Sequence, residues 1–461
     1  MSPPPARLRV SLHSSVSTLE LAYTTSRGDA GSVTLHYPIE SPVLIDTAPA
    51  VGLAVAVYLG QLCLAPYIEL DYPTPVGAIC AIAPLARMLY DVRRWKDGLP
   101  IGDPPIVVTP GEVNTTAYPG ARNPRRTMLL WSGGKDSTLA AHLLRQNGFD
   151  VSAVHATANV GVQRVEQEAV ADLASTLRLC VRTIEVSHPQ FLRLSSRYAK
   201  SWNQFPYCNT VPFGRDLLLA AAAAPLAAAL DISYLSFGHD NDCRRAVVDH
   251  PVRSFPRNDV ESLEGALVLA AYLNDYVVQG LSLLPPLAGL PELRILHDML
   301  VRHPALMAKT SFCFWGGPCG RCAKCLRYDL AQRVFIPERP VLRFDVDPLA
   351  QGSCPELEDM LAGMDVNGLL FQRQVLWCLA RLCLRGDQRG GGDALERFAS
   401  TLLPLVAPQL DKWAAELLAD HGDPQVPISF QTDVPDRAQQ ARQRWYGNGA
   451  QRVSMDGVES G

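Results

Sequence analysis

The chain opens on a period-two alternation. Leu8, Val10 and Leu12, then Leu19, Leu21 and Tyr23, then Val33, Leu35 and Tyr37 are apolar, and Gly28, Asp29 and Gly31 supply a turn. This pattern predicts an antiparallel meander over residues 7–39. Longer apolar stretches predict a helix over 50–64, a strand over 66–71 and a second helix over 76–97. Residues 1–97 therefore read as a small α+β domain. Residues 98–126, rich in Pro, Gly, Asn and Arg, read as a linker. From Thr127 strands and helices alternate: a strand from Met128, a helix over 136–147, a strand over 150–157, a helix over 162–178 and a strand over 181–186. Such alternation implies a parallel sheet with right-handed crossovers, and ligands of such sheets sit at the carboxyl ends of the strands. A long alanine-rich helix follows Gly214, with a kink or division expected at Pro225. The strand that starts at Ile232 runs into a polar cluster, and 260–278 look helical. This α/β domain is assigned to 127–340. Helices over 355–385 and 393–420 form a C-terminal extension, 341–433, and 434–461 read as a disordered or partner-ordered tail.

Composition narrows the picture. A chain of 461 residues has room for two or three domains of roughly 150 residues. A net charge of −4 gives no field that points to nucleic acid or a membrane surface. The apolar run Ala48 to Pro66 approaches membrane-span length, but its prolines, Gln61 and the adjacent acidic stretch predict a buried helix. The N-terminus has neither a charged nor an apolar signal region, so a cytoplasmic location is expected. Four of the twelve cysteines cluster, which points to metal rather than a disulfide scaffold. Cys63, Cys80, Cys180, Cys378 and Cys383 lie in apolar segments and read as core.

The chemistry gathers in three places. Ser132-Gly133-Gly134-Lys135-Asp136-Ser137-Thr138 joins a strand to a helix. Its glycines let backbone approach a ligand, and its amides open a helix, which is an anion site. Hydroxyls of Ser132, Ser137 and Thr138, the charge of Lys135 and a magnesium ligand in Asp136 complete it. The spacing is not that of Walker A. The string resembles the pyrophosphate loop of the PP-loop ATP pyrophosphatases, which cleave ATP between its α- and β-phosphates. The second place has two parts. Arg215 and Asp216 open the alanine-rich helix, where arginine suits a phosphate or carboxylate and Asp216 also suits a helix start with no function. Gly238, His239, Asp240, Asp242, Cys243 and Arg244 form either a solvated turn or a substrate or magnesium pocket. The third is Cys313, Cys319, Cys322 and Cys325, spaced C-x5-C-x2-C-x2-C. Four thiolates so placed favour a closed, structural zinc site over an iron–sulfur cluster.

S-G-G-K-D-S, then V-P-F-G-R-D-L-L-L, then a late four-cysteine knuckle stand in the order of QueC, the 7-cyano-7-deazaguanine synthase family. The resemblance covers about residues 127–335. It carries a PP-loop (adenine nucleotide alpha hydrolase-like) fold with it. Asp216 replaces the family's usual asparagine, and Gly238 to Arg244 resemble a shortened form of its G-x-n-x-x-D-x-x-x-x-x-D-C-R segment. The resemblance implies ATP, Mg²⁺ and Zn²⁺. It implies Lys135, Asp136 and Arg215 as catalytic groups, Ser132–Thr138 at the nucleotide, and Arg215, Asp216, Gly238, Asp240, Asp242 and Arg244 at the substrate. The four cysteines would hold the zinc. The reaction implied is adenylation of the carboxylate of 7-carboxy-7-deazaguanine, then transfer to ammonia and, with a second ATP, conversion of the amide to the nitrile. The larger layout resembles antiphage members of the QatC type, which implies transfer to the amine of a partner protein instead. No membrane or nucleic-acid partner is expected, and a homodimer is allowed. A PP-loop tRNA thiolase and a degenerate scaffold are the rival classes.

Overall fold

The structure, a computed structural model, describes residues 7–113, 117–120, 123–158, 163–190, 214–245, 247–313, 318–362, 372–386 and 392–419. Its frame is one ten-stranded sheet. The strands are β1 (Arg7–Ser14), β2 (Thr18–Thr25), β3 (Ala30–His36), β4 (Tyr67–Leu70), β5 (Ile106–Val108), β6 (Arg126–Leu130), β7 (Asp150–Ala158), β8 (Cys180–Ser187), β9 (Tyr234–Ser236) and β10 (Ser282–Leu284). Their order across the sheet is β10-β9-β6-β7-β8-β3-β2-β1-β4-β5. From β10 to β8 neighbours are parallel. The meander is antiparallel, as its alternation predicts.

Thr34, Leu35 and His36 of β3 pair with Ser187, Val186 and Glu185 of β8, antiparallel. The N-terminal strands thus extend the parallel sheet. A boundary at 98–126 separates sequence segments that share one sheet, and that stretch itself supplies the edge strand β5.

Nine helices frame the site and its surroundings: α1 (Val43–Cys63), α2 (Val76–Lys96), α3 (Lys135–Gln146), α4 (Gln163–Leu177), α5 (Arg215–Ala229), α6 (Leu263–Tyr272), α7 (Glu292–His297), α8 (Ala323–Phe335) and α9 (Gln372–Leu384). Because strand side chains alternate, the sheet divides two cores. Met128, Val154 and Leu235 face α1, α2, α5 and α6. Leu129, Ala153 and Tyr234 face α3, α4, α7, α8 and α9. Ala220 to Ala224 of α5 are fully buried, and small side chains let α5 lie close on α1. Pro225 lies inside α5 without ending it. Helix α1 is long and apolar enough to cross a membrane by length and composition, yet 83% of its apolar window is buried within the fold. The single helix expected over 355–385 is instead Pro355–Leu361 and α9, with 363–371 outside the described residues. The tail at 434–461 and the motif residues 207–213 also lie outside them.

This topology locates the site. The crossovers β6-α3-β7 and β7-α4-β8 cover one face, whereas α5, which enters β9, covers the other. The order therefore reverses between the neighbours β6 and β9, and ligands of open parallel sheets bind outside the carboxyl ends at such a reversal.

Candidate active site at the β6–β9 reversal

The loop after β6 needs its glycines. Gly133 has φ +68°, in the left-handed region. Gly134 caps α3 without a side-chain acceptor, so first-turn amides of the helix are left for an anion. Ser137 and Thr138 turn their hydroxyls back to the Gly134 carbonyl at 3.2 and 2.8 Å, and the Ser132 and Ser137 hydroxyls lie 3.4 Å apart. Gly238, which follows β9, serves close packing. A Cβ there would lie 2.9 Å from Asp136 Cβ and 3.0 Å from Ser137 N, so only glycine lets this segment rest on the first turn of α3.

The charges beneath the loop form one network. Lys135 is 2% exposed, and its Nζ lies 2.5 Å from Asp136 Oδ1 and 2.5 Å from Glu292 Oε2. Glu292 also accepts from Arg327 Nη1 at 3.3 Å, and Lys135 Nζ sits 5.7 Å from the Tyr328 ring centre. Burial alone would lower the lysine pKa, but Asp136 and Glu292 outweigh it and hold the amine charged. Burial likewise pushes Glu292 up, and Lys135 and Arg327 bring it below the usual range. Burial, then Glu292 and Asp136, outweigh the pull of Lys135 on Asp240 and raise its pKa well above the usual range. Carboxylate oxygens of Asp136, Asp240 and Glu292 lie within 4.8 Å of one another. Three hard oxygens at that spacing suit Mg²⁺ or Mn²⁺.

Asp242 and Asp240 serve as braces too. Asp242 Oδ2 accepts from Glu292 N at 2.9 Å and so anchors the start of α7, while Asp240 Oδ1 accepts from Cys243 N at 2.7 Å. Arg244 is buried in the short turn Asn241–Arg245. Arg215 and Asp216 lie at the start of α5 on the other face, with Arg215 Nε 3.9 Å from Asp216 Oδ1. The structure thus brings Lys135, Asp136 and Asp240 together, puts Gly238 and Asp242 behind them as supports, and leaves Arg215 and Asp216 across the crevice.

The knuckle builds a wall of the same site. Sulfur atoms of Cys313, Cys319, Cys322 and Cys325 lie within 4.8 Å of one another, and those of Cys319 and Cys325 are 3.8 Å apart. Tetrahedral zinc with bonds of about 2.3 Å requires sulfurs about 3.8 Å apart, so the thiols fit zinc. Gly320, with φ +69°, allows the turn, and a Cβ there would strike Val346 O. Cys322 caps α8, whose first turns carry Arg327 and Tyr328 to Lys135. Ser311 N donates to Gly133 O at 2.9 Å, tying the knuckle's approach to the loop. Elsewhere Cys63 and Cys378 are buried, whereas Cys80 and Cys180 are exposed and not core.

Residues 126–333 match the family model of the queuosine biosynthesis protein QueC. This stretch is similar to the QueC family. The chain is also 24% identical over 233 residues to 7-cyano-7-deazaguanine synthase 2 of Sulfurisphaera tokodaii, a match that covers 47% of each chain. It therefore spans about half the length of that curated relative. The matched stretch contains the whole charge network, from Lys135 to Arg327. Glu292 and Arg327 carry no motif of their own in the sequence. Glu292 stands 157 residues from Lys135, and only the Pro291 helix start marks its place.

The network makes a stability prediction. Asp240→Asn keeps an oxygen for Cys243 N–H but removes a buried charge. The raised Asp240 pKa means that the folded protein binds a proton the unfolded chain has released, so stability falls as pH rises above the ordinary carboxylate value of about 4. The variant escapes that loss. It should match the wild type near that pH and exceed it by about 1–2 kcal/mol at neutral pH. Denaturant unfolding at two pH values checks this.

Proposed function

We propose that the protein is an ATP-dependent, AMP-forming ligase that activates the carboxylate of 7-carboxy-7-deazaguanine and transfers the acyl group to an amine. The observation that carries this reading is the Lys135–Asp136–Asp240–Glu292 network at the mouth of α3, within a stretch similar to the QueC family. A carboxylate is a poor electrophile until one of its oxygens becomes part of a leaving group. Adenylation does this, and it expels pyrophosphate. The amides of α3 and the hydroxyls of Ser132, Ser137 and Thr138 would bind the β- and γ-phosphates. Lys135 would leave Glu292 for the phosphates and offset the charge that grows as the α–β bond breaks. Asp136, Asp240 and Glu292 would hold Mg²⁺, which supplies Lewis-acid neutralisation of the phosphates. Arg215, from the α5 side, would orient the acid.

The acceptor is ammonia, giving the amide and then the nitrile, or an amine on a partner protein in antiphage defence. The β1–β5 strands and the helices beyond 333 would dock a protein acceptor, in the cytoplasm. The test is AMP formation by the full chain with ATP, Mg²⁺ and the acid. AMP that depends on the acid supports the reading, as does a matching mass gain on a partner protein. AMP that requires tRNA would mean a thiolase, and no AMP under any condition a scaffold.

A further inference from the structure

The four-cysteine knuckle carries a second lysine to the nucleotide loop. Lys324 stands between Cys322 and Cys325, in the first turn of α8. Residues three and four apart share one face of a helix. Arg327 and Tyr328 stand at those spacings from Lys324, and both reach the charge network. Arg327 Nη1 lies 3.3 Å from Glu292 Oε1, and the Tyr328 ring centre lies 5.7 Å from Lys135 Nζ. Lys324 therefore faces the same network, one turn nearer the cysteines. Its positive charge acts on both Asp136 and Glu292. Burial lowers the Lys324 pKa, and the charges of Arg327 and Lys135 lower it further, against the pull of Asp136 and Glu292. Those two carboxylates already bind Lys135, and Glu292 also binds Arg327. A third cation beside them leaves this wall with an excess of positive charge, which a bound anion relieves. The wall lies on the phosphate side of the crevice. Ser311 N donates to Gly133 O at 2.9 Å, and a Cβ on Gly134 would lie 3.5 Å from Ser311 O. The turn that opens α3 is thus flanked by the knuckle, whereas Arg215 stands at the start of α5 on the other face.

We propose that Lys324 is a second phosphate-binding cation, whose ammonium contacts the pyrophosphate portion of ATP from the knuckle side while Lys135 contacts it from α3. This rests on the ligase reading above and adds a residue to it. An ammonium on a flexible stem meets a phosphate oxygen as a point charge. In the adenylation step a carboxylate oxygen of the acid forms a bond to the α-phosphorus. The bond from that phosphorus to the bridging oxygen breaks, and its electron pair stays on the pyrophosphate. Two lysines on separate walls then share the charge that the leaving group gains. The arrangement gives the knuckle a part in catalysis as well as in folding. Its cysteines flank Lys324 in the chain, so holding them together fixes the backbone from which the ammonium reaches the phosphates.

Calorimetry on the zinc-loaded full chain tests this with magnesium pyrophosphate and with AMP as separate probes. Lys324→Gln should weaken pyrophosphate binding about 10- to 100-fold, the loss of one charge-assisted hydrogen bond. AMP, which lacks the β- and γ-phosphates, should bind the variant as it binds the wild type, and zinc content should not change. Lys324→Arg is the second variant. Lys324 is half-buried where Lys135 is enclosed, so arginine has room to keep the charge, and pyrophosphate affinity should largely return. A residue that only props up the knuckle would not give this pattern. Pyrophosphate binding that Lys324→Gln leaves unchanged, or that the wild type lacks, would overturn the proposal. So would an equal loss in both variants, a parallel loss of AMP binding, or release of zinc by the glutamine variant. The expected pattern in a protein with no acid-dependent exchange of pyrophosphate into ATP would uphold Lys324 and sink the ligase reading.

Discussion

Lys135→Ala will abolish acid-dependent AMP formation, with kcat lower by about 1,000-fold. In the proposed reaction the lysine is the charge that moves. It is held between Asp136 and Glu292, at 2.5 Å from each. It can exchange those partners for phosphate oxygens only where the loop after β6 brings the triphosphate to α3. The loss should fall on kcat more than on KM, because the charge it offsets grows as the α–β bond breaks. Lys135→Arg will not restore the rate, since a guanidinium is planar and cannot occupy the same buried point. Alanine also leaves Glu292 short of a partner. Breaking a buried pair costs about 3–5 kcal/mol near neutral pH. The sign with pH follows from the shifts. The Glu292 pKa is depressed in the fold, so its contribution is present above the ordinary carboxylate range and is lost as pH falls. The stability gap between wild type and variant should therefore narrow from neutral pH toward about pH 4. A gap that widens there would contradict the ion-pair account.

Removal of zinc will be the largest structural perturbation. Structural zinc contributes about 10 kcal/mol to small zinc domains, comparable to the whole margin of a folded domain. Here Cys322 also caps α8, and α8 carries Arg327 to Glu292. A strong chelator, or Cys322→Ser, should release the zinc, lower the thermal midpoint and remove AMP formation together. Added zinc should restore the chelated protein but not the variant. Metal-free protein with wild-type melting and turnover would show that the knuckle is a bystander.

The loop and the knuckle were legible in sequence because each is local. Ser132 to Thr138 and Cys313 to Cys325 carry their own spacing, and the structure brings each set together. The alternation of strands and helices from Thr127 gave the parallel sheet for the same reason. What escaped depends on long-range pairing. The pairing of β3 with β8 joins residues about 150 apart, so the N-terminal meander read as a separate unit. Glu292 and Arg327 carry no local signature, since a lone acid at a helix start usually just caps it. Gly238 also has a packing task, which only its close approach to Asp136 reveals. Pro225 is buried within α5, where tertiary packing carries the helix past it.

The account turns on transfer of an oxygen. If the acid becomes a nucleotide anhydride, AMP must leave with an oxygen that began in the carboxylate. Turnover of 7-carboxy-7-deazaguanine labelled with heavy oxygen in its carboxylate, followed by mass spectrometry of the AMP, reads this directly. The account predicts AMP that carries one heavy oxygen, and unlabelled AMP from a protein that still turns over would contradict it.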